Sequence, residues 1–257
     1  MTTKTVTAYR FFQRSGESVR SIYGDLAWPI PTNGHPGKWV RHKGDVKCCL
    51  VGLHASRTIF GAFQNRQGDN LAVVDAMEIG DEQEDKFACA SMRIVRLLRP
   101  RHVVALAGVA AIMSLPAFEV RYPNDGRPHT AILAVIEWIR TGKTASYVVD
   151  AHDAIAVVAA NAYAASYDTA YDVSAAAIAS AANTAYAASY DVAGSAAAAS
   201  GFTAIYDAYY ASYAAVHDDT AATSARTKFG ERFEREAVRL LALPEDGLAD
   251  ALEEILP

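Results

Sequence analysis

The chain has 257 residues and a mass of 27.6 kDa, room for one or two domains with a real hydrophobic core. Hydrophobic residues make up 51% and charged residues 21%, which excludes a globally disordered chain; a net charge of -5 excludes a strongly basic, phosphate-neutralising protein. Cys48, Cys49 and Cys89 cannot close a disulfide framework, which favours a reducing compartment, and the N-terminal stretch lacks the apolar core of a signal peptide.

Residues 1–99 read as β-rich. Thr5 to Phe12, Val46 to Val51, Leu71 to Met77 and Phe87 to Leu98 are β-prone runs. Pro29 to Gly37 is punctuated as a loop. Ser56 is placed to N-cap a short helix running toward Phe63. Asp81, Glu82, Glu84 and Asp85 form an acidic turn whose simplest role is a solvated loop. Residues 101–141 read as two helices. His102 to Ser114 is apolar nearly all round and therefore buried, and Pro116 is expected to break it. Tyr122 to Pro128 is dense in turn residues; Pro128 suits the first turn of a second helix, Ile132, Val135, Ile136 and Ile139 share one face of it, and Gly142 sits at its C-terminal cap. Arg127 is placed to clamp Asp125.

Charge and composition then change together. Residues 1–143 carry 19 Lys/Arg and 13 Asp/Glu, whereas residues 144–225 carry 8 Asp and no Lys, Arg or Glu. Of the 75 residues 151–225, 31 are Ala, the strongest helix former. The shift marks a boundary near Gly142 to Thr144. Ala162 to Asp168 returns as Ala185 to Asp191, and the Tyr-Asp pair recurs at Tyr167, Tyr171, Tyr190 and Tyr206, a degenerate repeat. Two to four packed antiparallel helices are expected here. The Asp residues interrupt the apolar runs, so no membrane span is expected. The tail resumes amphipathic character: Phe229, Phe233, Val238, Leu240 and Leu241 suit one further helix, and Pro244-Glu245-Asp246 opens a last short one. The expected fold class is α+β, a small β-rich N-terminal domain (1–99) packed on an Ala-rich antiparallel helical bundle (100–257).

Two stretches resemble known families. Gly37-Lys38-Trp39, then Cys49-Leu50-Val51-Gly52-Leu53-His54-Ala55, with Asp85-Lys86 and the run Arg93 to Leu98, resembles an uncharacterised domain of phage and bacterial proteins over roughly residues 7–99. Leu115-Pro116-Ala117-Phe118-Glu119 followed by Tyr122 to Ile132 is similar to an element of helical immunity proteins from polymorphic-toxin systems, which also continue into Ala-rich helices. In this chain His129 and Leu133 replace the Arg and Glu of that element, and Tyr and Asp stand where Arg, Asp and Trp alternate in the family. These resemblances imply a bacterial-cytoplasmic setting and no settled activity.

The candidate chemistry is sparse. Cys48, Cys49, His54 and Cys89 have poor metal-ligand spacing, and no C-x-x-C occurs. Cys49 and His54 have the residue types of a thiol nucleophile and its base, without a third, orienting group. Tyr9-Arg10-Phe11 with His54 after Gly-Leu distantly resembles ADP-ribosyltransferase folds; that resemblance implies Arg10, His54 and a late Glu, here Glu78, as a nucleotide-directed catalytic set. Gly-rich phosphate loops are absent. The favoured reading is a non-enzymatic interaction protein that needs no cofactor or metal. It would bind a basic protein partner, or itself, through an acidic surface carrying Tyr167, Asp168, Tyr171, Asp172, Tyr190, Asp191, Tyr206 and Asp207. Nucleic acid would be repelled by that block. The alternatives are the nucleotide-directed enzyme and a virion or assembly component.

Overall fold

The computed structural model describes residues 4–15, 18–22, 25–65, 68–121, 123–142, 203–205, 208 and 219–257. The chain divides into two units, Met1–Arg99 and Pro100–Pro257. The fold is mixed α+β, with an antiparallel sheet in the first unit followed by helices. The repeat positions Tyr167, Asp168, Tyr171, Asp172, Tyr190, Asp191, Tyr206 and Asp207 lie outside the described residues.

The first unit is organised by three long strands, β1 (Val6–Ser15), β6 (Asn70–Glu82) and β7 (Phe87–Leu97). Short strands β2 (Ser18–Arg20) and β3 (Ala27–Trp28) extend the sheet beyond β1. On the other side, β4 (Val40–Arg41) and β5 (Leu53–Ala55) share the free edge of β7. The chain then turns back: Ser56, just past β5, exchanges both backbone hydrogen bonds with Tyr9 of β1, at 2.8 and 2.9 Å. Pairing thus runs from β1 through β6, β7 and β5 to β1 again, and the sheet closes on itself. Register shifts in the β6–β7 pairing at Val73/Val74 and Ile79/Asp81 supply the bends that closure needs.

Closure explains the side-chain pattern. Ala8 and Phe12 on β1, with Ala72, Val74 and Ala76 on β6, point to one buried face, where they meet Leu53, Ala55, Phe87, Cys89, Met92, Ile94 and Trp28. The opposite face of β1 is covered by helix α1 (Ile59–Gln64), whose Phe63 packs edge-to-face on Phe11 at 5.0 Å. Small alanines at the crowded centre leave room for the larger rings.

Two local expectations are corrected here. Val46 to Val51 is a tight turn, because Cys49 takes a left-handed φ of 66° and Lys47 bonds Val51 in both directions. The cap of α1 is Thr58, whose Oγ1 accepts from the Gly61 N–H at 3.0 Å; Ser56 is already committed to Tyr9.

In the second unit, α2 (Pro100–Arg121) is buried along Val103 to Ile112 and, contrary to the expected break, runs on through Pro116. Pro116 forfeits one N–H and its ring crowds the preceding turn, and burial of Leu115 and Phe118 on either side holds the helix together. Helix α3 (Arg127–Thr141) begins with Pro128 and ends at Gly142, left-handed at φ 70°, whose N–H reaches the Trp138 carbonyl at 2.7 Å. Arg127 does clamp Asp125, its Nε donating at 2.8 Å. Helices α4 (Asp219–Ala242) and α5 (Leu248–Glu253) complete the unit, with a single 3-10 turn, Glu245–Gly247, between them. Phe229, Phe233, Leu240 and Leu241 are buried as their spacing suggests, whereas Val238 is exposed. Gly108 of α2 lets Leu252 of α5 approach closely, and Arg140 of α3 pairs with Asp250 and Glu253 at 3.2 and 2.9 Å. No helix among the described residues is long and apolar enough to cross a membrane.

Gly37 is where the N-terminal unit is least tolerant of an added carbon. Its N–H bonds the Ile94 carbonyl at 2.8 Å, and a Cβ there would fall inside the van der Waals radius of the Pro29 carbonyl oxygen. Gly37→Ala is expected to lower stability by about 1–3 kcal/mol, as overpacking does. Urea denaturation of the full chain, read as a shift in midpoint at constant slope, measures it.

Candidate functional site

The seam between β1 and β5 holds a cavity of about 810 Å³. It is reached by Arg10 and Tyr9 of β1, His54 of β5, Ser21, Asn65 and Lys86, with Leu26, Leu50 and Val51 also in its wall. That volume lies within the range of small-molecule sites.

Arg10 is the unusual member. Strand alternation places it on the buried face between Ala8 and Phe12, directly opposite Ala72 of β6. Its guanidinium lies 5.0 Å from the Phe12 ring centre and 5.1 Å from that of Trp28. One terminal nitrogen, Nη2, donates to Ser21 Oγ at 2.9 Å, and the same oxygen accepts from Trp28 Nε1 at 2.8 Å. The other, Nη1, is shielded from solvent and has no hydrogen-bond partner. Burial lowers the Arg10 pKa to about 10; the nearby Cys89 thiol pulls weakly the other way. Arg10 is therefore still charged at neutral pH. Cys89 cannot neutralise it, because its own burial pushes that thiol up to about 12. Among the described residues, no carboxylate forms an ion pair with Arg10.

Asn65, Lys86 and His54 of the wall are engaged in hydrogen bonds within the protein. Asn65 Nδ2 donates to the Gly61 carbonyl at 2.9 Å and to Asp85 Oδ2 at 2.7 Å, while its Oδ1 accepts from Lys86 Nζ at 2.8 Å. His54 Nε2 accepts the Cys49 N–H at 2.9 Å. An accepting Nε2 requires a neutral ring, and the His54 pKa is lowered, by burial first and then by the positive charge of Arg10. His54 thus fastens the left-handed Cys49 turn that forms one lip of the cavity.

Arg10 and His54, two members of the catalytic set implied by the ADP-ribosyltransferase resemblance, line this one cavity. Glu78 does not line it: it is exposed on β6, at a left-handed φ of 58°, and accepts a hydrogen bond from Ser91 Oγ at 3.1 Å. The cysteines separate as well. Cys49 is exposed, while Cys48 and Cys89 are buried. No cluster of three or more metal-ligating side chains occurs among the described residues. Ser21 and Asn65 carry no sequence signal as site residues, and the Asp85-Lys86 motif gives Lys86 no assigned role; the three reach the cavity from separate turns and a helix end.

The sequence motifs acquire structural reasons. Trp39 of the Gly-Lys-Trp element lies under the Arg93 guanidinium, 4.7 Å from the ring centre, and Arg93 in turn donates to Asp75 Oδ2 at 2.7 and 2.9 Å. Gly52 is left-handed at φ 108° and abuts the Cys89 carbonyl on β7.

Residues 6–106 match a domain of unknown function, DUF7666. The matched span takes in β1 to β7 and the residues that line the cavity, and is less than half of the chain. No curated protein and no solved structure matches the chain.

The depressed His54 pKa sets a direction for pH. Its folded value lies below the ordinary 6.5, so its contribution is fully present above about pH 6.5 and is lost as pH falls below it. The protection factor of the Cys49 amide, its exchange rate relative to the intrinsic rate at the same pH, is expected to fall as pH drops from 7 to 5. In His54→Gln, whose side-chain oxygen can accept but does not titrate, that loss of protection should vanish; NMR exchange rates on both proteins decide it.

Proposed function

We propose that this is a non-enzymatic binding protein whose N-terminal unit holds an anionic small molecule in the Arg10 cavity. One observation carries the reading: a buried, charged guanidinium with an unsatisfied N–H borders an open cavity. An unpaired buried charge costs several kcal/mol in general, and proteins seldom retain one without a use for it. A bound carboxylate or phosphate would supply both the missing charge and the missing acceptor. The acidic, Tyr-rich block 144–225 would then serve as a surface for a basic protein partner or a second copy. Its support is the charge segregation, 8 Asp with no Lys, Arg or Glu.

A nucleotide-directed enzyme is the second reading. What favours it is that Arg10 and His54 share the cavity. It needs an acidic group at the reacting centre, and Glu78 is engaged with Ser91 outside the cavity wall.

The test is a comparison of stability with binding. Arg10→Met replaces a buried cation by an apolar chain of similar reach, a change that is neutral or stabilising when the charge is unpaired. The variant is expected to melt at or above the wild-type temperature, and to lose the stabilisation that acetate, decanoate, inorganic phosphate or AMP confers on the wild-type chain. Calorimetry on the full chain reads both. A large loss of stability in Arg10→Met, with no anion stabilising the wild type, would make Arg10 a structural residue and overturn the binding reading.

A further inference from the structure

We infer, building on the anion-binding reading above, that the ligand is amphiphilic: a single carboxylate on an apolar body, the chemistry of a medium-chain fatty or aryl-alkyl acid. The geometry behind this is a buried cation with an unsatisfied N–H, in a cavity where the side chains of Ser21, His54, Asn65 and Lys86 already take part in hydrogen bonds within the protein and whose lips carry exposed hydrocarbon.

The polar inventory comes first. Arg10 Nη1 is unbonded. Asn65 uses both ends of its amide inside the protein. His54 Nε2 is held by the Cys49 N–H, and Ser21 Oγ receives both Arg10 and Trp28. Lys86 bonds Asn65 and lies 3.8 Å from Asp85, which offsets its charge. A nucleotide would ask this wall to read a base, a ribose and a phosphate, and these committed groups have little to give it. A dianionic phosphate would also bring one more negative charge than Arg10 neutralises. A monocarboxylate matches the single charge and accepts N–H bonds from a guanidinium with good geometry.

The apolar inventory points the same way. Leu50 is 69% exposed, Val51 44% and Leu26 37%, and all three belong to the cavity wall. Ile22, 43% exposed, lies in the same β2–β3 connection as Leu26. Single exposed hydrophobics are commonplace, but here three fall on the rim of one opening. The Cys49 turn that presents Leu50 and Val51 is held in place by backbone bonds from Lys47 and by His54. Hydrocarbon laid along this lip would remove it from water at about 25 cal/mol per Å². A cavity of about 810 Å³ has room for a ten-carbon chain, since such a ligand is smaller than the drug-sized molecules that cavities of this class enclose.

The experiment is isothermal titration of the full-length chain with five probes: acetate, decanoate, decanol, inorganic phosphate and AMP. Decanoate is expected to bind more than about tenfold tighter than acetate, through the apolar body, and more than about tenfold tighter than decanol, through the charge. Arg10→Met should erase the preference for decanoate over decanol. Leu50→Asp, at an exposed position that folding does not depend on, should weaken decanoate by about tenfold or more and keep the wild-type melting temperature. If AMP or phosphate binds and decanoate does not exceed acetate, the amphiphile is overturned while the anion site stands. If none of the four anions binds, both fall. Decanol binding as tightly as decanoate would also overturn it, because the charge would then play no part.

Discussion

The two hydrogen bonds between Tyr9 and Ser56 are the constraint from which the N-terminal unit follows. They join strands that are far apart along the chain and turn an open sheet into a closed one. Closure forces β6 and β7 to bend, which their register shifts accommodate, and it crowds the interior, which the alanines at 8, 72 and 76 accommodate. It also leaves a seam. Only the short β5 and one bridge residue span the gap between β7 and β1, and the cavity opens there.

Arg10 is the cost of that seam. Any residue at position 10 on β1 must face inward, because the pleat alternates and Ala8 and Phe12 are already inside. An aliphatic residue would pack there without penalty. The guanidinium instead leans on Phe12 and Trp28 and donates one bond to Ser21. Those contacts recover part of the desolvation energy through the ring faces but leave a nitrogen unsatisfied. On the proposed binding reading, the charge is pre-placed for an acceptor, and Asn65, Lys86 and His54 near it are already hydrogen-bonded.

The motif residues act mainly as builders of this frame. Gly37 allows the chain to pass Pro29 while bonding β7; Trp39 shelters the Arg93–Asp75 pair on β7 and β6; Gly52 and the left-handed Cys49 shape the lip; His54 locks it. His54 therefore has the chemistry of a catalytic residue and the bonding of a structural one. Burial first, and then the positive charge of Arg10, keeps it neutral and able to accept.

The sequence by itself determined the class and most of the long elements. β-prone runs marked β1, β6 and β7, helical spacing marked α3 and α4, and Pro128 and Gly142 marked where α3 starts and stops, because these signals arise within a single segment. It singled out Arg10 and His54 together only by a distant family resemblance. It misplaced the Val46 to Val51 turn, the cap of α1 and the effect of Pro116, since propensity there is overruled by a backbone bond or by burial that only the folded chain supplies. That Arg10 and His54 share one cavity, that Glu78 stands outside it, and that Asn65 and Lys86 are spent on each other were decided by tertiary structure alone. Those facts depend on sheet closure, which brings together residues from positions 9 to 86 through backbone pairing that no local pattern encodes.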